Sequence, residues 1–173
     1  MKRIFLMMIA SLFCVAAAGQ DYIEIDKTED GIRFIRSKAC PIITNDLDVV
    51  AMSFICSKDK ENEIYSMALV FYDSYFFSIS QENGMRIKTI EGESIYLYPL
   101  ADSMAKPHNG EFLISVMYEI PKEKISSLIC AMKDITILFK QNGSTKSKTF
   151  YIPFRSAEDI METYLHFAIY TGN

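Results

Sequence analysis

An α+β fold, mainly antiparallel β with two short helices, follows from three features of this 173-residue sequence. Short polar dipeptides of the Asn-Gly and Asp-Gly kind recur along it: Asp30-Gly31, Asn83-Gly84, Asn109-Gly110 and Asn142-Gly143. They supply the positive φ that tight hairpin turns demand. Between them lie β-branched and aromatic residues, often with period two, marking about ten strands. Two stretches break that period with one-sided apolar stripes at helical spacing.

Residues 22–26 alternate Ile23 and Ile25 with polar neighbours, and residues 32–39 follow Asp30-Gly31 to close a first hairpin. Residues 49–57 are mostly apolar. Residues 63–73 are apolar on both faces, Ile64, Ala68 and Val70 against Met67, Leu69 and Phe71, as expected of a central strand covered on two sides. Residues 75–80 and 85–90 flank Asn83-Gly84. Residues 94–100 set Ile95 and Leu97 against Tyr96 and Tyr98, and Pro99 ends this strand or places it at an edge. Residues 111–120 put Phe112, Ile114, Val116 and Tyr118 on one face, and 135–140 and 146–152 flank Asn142-Gly143. Short connections make neighbouring strands antiparallel.

The first helix, near 121–132, starts at Pro121 and carries Ile125, Leu128, Ile129 and Met132 on one side. The second, near 156–171, opens with Ser156 and Asp159 in the manner of a capping box. It shows Ile160, Tyr164 and Phe167 on one face and ends at Gly172. The strands can form two packed sheets, sandwich-like, or one curled sheet with helices on one face. A flat sheet of all of them would leave too much surface uncovered.

Residues 1–20 read as a secretory signal peptide. Met1-Lys2-Arg3 is basic, Ile4 to Ala18 is uncharged and apolar, and Ala16-Ala17-Ala18-Gly19 offers small side chains to a signal peptidase. The cut is expected between Ala18 and Asp21. As a membrane anchor the run falls short of the roughly 20 residues that span a bilayer. As a lipoprotein signal it would acylate Cys14, but bulky Phe13 precedes that Cys. No later stretch is long and apolar enough to cross a membrane.

Residues 21–173 then form a single domain, with no linker or internal repeat. The signal carries two of the 18 bases and none of the 22 acids, leaving 16 against 22, a net charge of −6. Such a chain suits neither nucleic acid nor an anionic membrane by general electrostatics. Export leaves Cys40, Cys56 and Cys130. A hairpin centred at residue 48 would set Cys40 opposite Cys56, within reach of a disulfide. The alternative is three small buried hydrophobes.

Sequence motifs for catalysis are absent: no G-x-S-x-G elbow, no H-E-x-x-H, no P-loop, no G-x-G-x-x-G and no EF-hand loop. No cofactor, metal site or catalytic residue is therefore expected. Cys130 and His108 could pair nominally as nucleophile and base, but Cys130 falls beside an apolar stripe and His108 in a polar turn. His166 sits on the last helix. Asp46 with Asp48, and Asp59 with Glu61, are close in sequence but read as solvated turns.

Binding has more candidates. Tyr72, Tyr75, Phe76 and Phe77 form a dense aromatic stretch, and Tyr96 and Tyr98 share one strand face. Exposed, Tyr72, Tyr75, Tyr96 and Tyr98 would stack on a sugar or a protein partner; buried, they would fill the core. Lys140, Lys146 and Lys148 cluster at a hairpin. Asn142-Gly143-Ser144 matches a glycosylation sequon but serves as the turn. None of the seven glycines is left over for a phosphate-cradling loop, since all fall in the signal, at turns or at a helix end.

The signal ending in Ala/Gly-Gln, the β domain and the unit from Tyr118-Glu119-Ile120-Pro121 through Ile125 to Ile135-Thr136-Ile137 resemble uncharacterised secreted proteins of Gram-negative bacteria. The likeness covers about the last third of the chain and implies an envelope location and a sandwich-like fold. The expected function is an exported, non-catalytic binding module, in the periplasm or at the cell surface, for a protein, glycan or other small-molecule ligand. A hydrolase with an unrecognised carboxylate pair, or a structural assembly subunit, are the alternatives.

Overall fold

The computed structural model describes residues 21–43 and 49–172. The expected signal peptide with Cys14, and the loop holding Asp46 and Asp48, lie outside the described residues. The chain runs through β1 (Ile23–Glu29), β2 (Ile32–Ser37), β3 (Cys40–Ile43), β4 (Val49–Lys58), β5 (Glu63–Asp73), β6 (Ser78–Ile79) and β7 (Met85–Thr89). It continues through β8 (Ser94–Leu97), β9 (Ser103–Met104), β10 (Lys106–His108), β11 (Glu111–Ile120), β12 (Met132–Gln141), β13 (Ser144–Tyr151) and a C-terminal helix α1 (Phe154–Thr171).

All strand pairings are antiparallel, and they build two sheets. The first has seven strands in the order β1-β2-β4-β5-β11-β10, with β3 continuing β2 along the same edge of β4. The second has six, centred on β12. One edge of β12 pairs with β13; the other takes β7 and then β6, outside which lie β8 and β9. Both residues of Asp30-Gly31, Asn109-Gly110 and Asn142-Gly143 have positive φ, as two-residue hairpin turns require.

Period two becomes burial. On the first sheet, Met52, Phe54 and Cys56 of β4, Met67, Leu69 and Phe71 of β5, and Ile114, Val116 and Tyr118 of β11 all point inward. On the second, Ile87, Ile95, Leu97, Ile135, Ile137 and Phe139 do the same, and all belong to one core. Phe71 meets Phe150 of β13 at 5.4 Å between ring centroids, sheet against sheet. Further along the same inner face, Phe54 and Tyr65 meet Tyr164 and Phe167 of α1 instead. The second sheet and α1 thus divide the inner face of the first sheet between them. The architecture is two packed sheets plus a helix, rather than one curled sheet. Residues 98–100 stitch the sheets together, because after β8 they bond to the free edge of β11. Glu119 N–H donates to the Tyr98 carbonyl and Leu100 N–H to that of Met117, both at 2.9 Å.

Several expectations are corrected in detail. The strand expected at 32–39 ends at Ser37, and after Lys38-Ala39 a separate strand, β3, begins at Cys40. Of the strand expected at 75–80 only Ser78–Ile79, β6, pairs as strand, and two further short strands, β9 and β10, have no counterpart in the sequence reading, because two or three residues carry no periodicity. The segment near 121–132 is helical only as two 3-10 turns, Lys122–Lys124 and Ser126–Leu128. A period of three buries Ile125 and Leu128 together but leaves Ile129 exposed, and Met132 already belongs to β12. Ser156 does not cap α1. The helix starts two residues earlier after Pro153, whose carbonyl accepts from Ala157 N–H at 3.0 Å. Gly172 closes it in the left-handed conformation, with φ of 94°.

The cysteine pair is not brought together. The β3–β4 register sets Cys40 opposite Met52, while Cys56 lies opposite Ile35 and Tyr65. The hairpin therefore centres two residues earlier than the disulfide reading needs. Cys40, Cys56 and Cys130 are all free thiols. Among the described residues no helix is long and apolar enough to cross a membrane.

Candidate functional site

β5 is central, flanked by β4 and β11, but among the described residues only its inner face is roofed by another layer. Its outward positions include Ala68 and Val70, and their neighbours are small. Ser53 of β4 lies opposite Ala68, and Ser115 of β11 lies opposite Val70. Adjacent strands are about 4.8 Å apart, so small side chains on three neighbours leave a hollow across the sheet. Bulkier groups wall it. Phe34, Arg36 and Ile55 stand on the β2 side, Met117 stands beside Ala68 on β11, and Leu100 and Ser103 close the far end. The result is a trough of about 430 Å³. This lies within the range of small-molecule sites, roughly 300–1,000 Å³. The stitch of residues 98–100 onto β11 supplies the far wall, so the sheet-switching corner and the trough have one origin.

The lining is mainly apolar, with serine hydroxyls at positions 53, 103 and 115. Arg36 is the one charged side chain among the lining residues. Its Nη2 lies 3.1 Å from a Glu24 carboxylate oxygen, and both groups are well exposed. Its Nε is buried and has no hydrogen-bond partner.

The four tyrosines expected to bind a ligand are not gathered. Tyr96 and Tyr98 lie side by side on the outer face of the second sheet, each 57% exposed. Their strand neighbour Arg86 reaches Asp134 at 3.4 Å and Thr136 at 3.1 Å. Tyr72 is on the outer face of the first sheet, beyond the trough, with its ring 5.7 Å from that of His108. Tyr75 stands 67% exposed in the turn after β5. Phe76 packs edge-on against Phe112, and Phe77 is core.

Other candidates resolve into local structure. Asp59 accepts the backbone N–H of Glu61 and of Asn62, and these bonds hold its carboxyl below the usual range. Cys130 donates to the Ser127 carbonyl at 3.0 Å, and burial pushes its thiol pKa up, the reverse of a nucleophile's need. Lys148 lies 3.4 Å from Asp73 and over the Phe150 ring. His166 stacks flat on Tyr22 at 4.3 Å, and Tyr22 donates to Glu162 at 2.7 Å, which raises the Tyr22 pKa. Beside that stack, Asp21, Asp159, Glu162, Lys38 and Thr163 border a second hollow of about 350 Å³. No group of three or more His, Cys, Asp or Glu side chains is placed to hold a metal ion among the described residues.

The trough residues Arg36, Ser53, Ala68 and Ser115 were missed at the sequence level. Their sequence signal is the apolar outward positions of residues 63–73, which period two alone assigns to a second covered face. Comparison with protein-family models, with curated proteins and with solved structures gives no match for this chain. Any functional reading therefore rests on geometry.

Proposed function

We propose that this chain is an exported, non-catalytic binding module of the bacterial envelope whose ligand lies in the trough of the first sheet. One observation carries the reading: among the described residues the outer face of the central strand β5 is hollowed by small side chains and lined with apolar groups and hydroxyls, where a solvated sheet would carry polar bulk. Export rests on the basic start, the apolar run from Ile4 to Ala18 and the small residues after it. The test has two parts. Expressed in a Gram-negative host, the full chain should appear in the periplasmic or surface fraction without its first residues. Envelope extract titrated against the labelled exported protein should shift the amides of Ser53, Ala68 and Ser115 in NMR spectra. Cytoplasmic retention of the intact chain sinks the export reading, and shifts confined to other surfaces sink the trough.

A specific observation favours a second contact surface. Tyr96 and Tyr98 present two exposed rings on one flat sheet face, the form that suits a protein or glycan partner. Shifts clustering at these two residues on addition of a partner, abolished by replacing both with Ala, would establish it.

A further inference from the structure

Resting on the trough reading, we infer that the ligand is amphipathic, with an apolar body lying across β4, β5 and β11 and a single anionic end at Arg36. The trough spans from β2 to β11, three inter-strand steps or about 14 Å. That length suits an elongated molecule laid across the strands. Among the described residues a side-chain charge enters the lining at one end. Ile55, Ala68, Val70 and Met117 make the body apolar, and the guanidinium stands at the β2 end. Among the described residues no carboxylate lines the trough itself.

Arg36 is incompletely used by the protein. A guanidinium offers five N–H donors, and Nη2 here stands in an ion pair with Glu24. Among the described residues Nε has no hydrogen-bond partner despite its burial. The Glu24 contact does not cancel the site, because a solvent-exposed ion pair is weak and its acid can swing aside or share the fork. A carboxylate or phosphate end group matches the planar fork in a way an alcohol or an amine cannot. The hydroxyls of Ser53 and Ser115 are spaced along the floor and can accept or donate to a polar substituent on the body.

Three probes of equal chain length separate the contributions: decanoate, decanol and decylammonium, each below its aggregation threshold, titrated into the exported protein by calorimetry and NMR. Decanoate should shift the Ser53, Ala68 and Ser115 amides and bind about tenfold or more tighter than decylammonium, the scale of one charge-assisted hydrogen bond. Arg36→Gln should erase that preference and leave decanol binding unchanged. Glu24→Gln should tighten decanoate, since it frees the fork; a merely structural Arg36–Glu24 pair would not produce this. The second variant keeps the test valid should Arg36→Gln fold poorly. Equal affinity for the three probes, or a preference that survives Arg36→Gln, overturns the inference. If no probe binds while envelope extract still shifts the trough amides, the anionic-end inference fails and the trough reading stands. If neither does, both fail.

Discussion

Gly84 lies directly beneath the ring of Tyr98. A Cβ built on it would sit 3.0 Å from Tyr98 Cε1 and 3.4 Å from the Leu97 carbonyl oxygen. Gly84 does not have positive φ, so the turn does not need it; the aromatic ring does. The glycine lets Tyr98 lie flat on the outer face of the second sheet, as when an aromatic covers a strand glycine. Gly84→Val is therefore expected to destabilise the fold by about 1–3 kcal/mol through overpacking. Much of that cost should disappear in a Tyr98→Ala background. A double-mutant cycle in urea checks it, and additive losses would show that the two residues do not couple.

The same contact corrects how the glycines were read. As a dipeptide, Asn83-Gly84 is indistinguishable from Asn142-Gly143, and only the second is a positive-φ turn. In the first, Asn83 is buried and its side-chain oxygen accepts from the Ser80 backbone and hydroxyl. A dipeptide reports local conformational tolerance and says nothing of a ring arriving from a neighbouring strand.

Asp26 joins β1 to both β2 and α1. It accepts from Arg33 Nε at 3.0 Å and Nη2 at 2.6 Å, and from the Tyr170 hydroxyl at 2.8 Å. Arg33, chiefly, holds the Asp26 carboxyl below its ordinary value. A depressed folded-state pKa gives stability that is present above the unfolded value, about 3.9, and lost as pH falls through the lower folded value. Asp26→Asn should cost about 1 kcal/mol at neutral pH, the upper end for a partly exposed pair. It should also flatten the acid limb of the stability curve below about pH 4. Urea titrations of both proteins between neutral and acid pH decide this; parallel curves would remove Asp26 from the account.

The three thiols should differ in reactivity. Cys40 is buried and donates to Thr163 Oγ1 at 3.3 Å, and Cys56 is buried in the core between β2 and β5. Burial raises the pKa of both. Cys130 is only partly buried. Iodoacetamide applied to the native protein should label Cys130 first, with Cys40 and Cys56 reacting only under denaturant. Mass spectrometry of the unreduced protein should show no loss of two hydrogens. A Cys40–Cys56 bridge would contradict the register that separates them.

How much of this fold was legible depends on what each residue pattern reports. Period two in residues 111–120 and 94–97 gave both the strands and their buried faces, because a single side of each meets the core. The broad stripe of α1 gave the helix, but not its start, which Pro153 sets rather than Ser156. Pairing register was not legible. The expected Cys40–Cys56 alignment fails because the hairpin centres two residues earlier and sets Cys40 opposite Met52, since a loop's length does not fix where the ladder begins. The trough was legible only in part. Small and apolar outward residues on β5 signal a face that does not carry the polar bulk of an ordinary solvated sheet. That Ser53 and Ser115 flank it is a matter of which strands are neighbours, and β5 and β11 are 37 residues apart at their nearest ends.

If the trough is a site rather than a by-product of sheet curvature, filling it should separate function from stability. Ala68 is the place to do so. It points outward from the central strand, opposite Ser53 on one side and Met117 on the other, and touches no buried layer. Ala68→Phe adds a ring with good strand propensity into a hollow large enough to take it. Its stability should stay within about 0.5 kcal/mol of the parent, as for substitutions away from the core. The amide shifts that envelope extract produces at Ser53 and Ser115 should vanish. The bulky change is more informative than a deletion, because an enlarged trough can still bind and a filled one cannot. Unaltered shifts with Phe at position 68 would place the ligand elsewhere, and the exposed pair Tyr96 and Tyr98 would then be the next surface to alter.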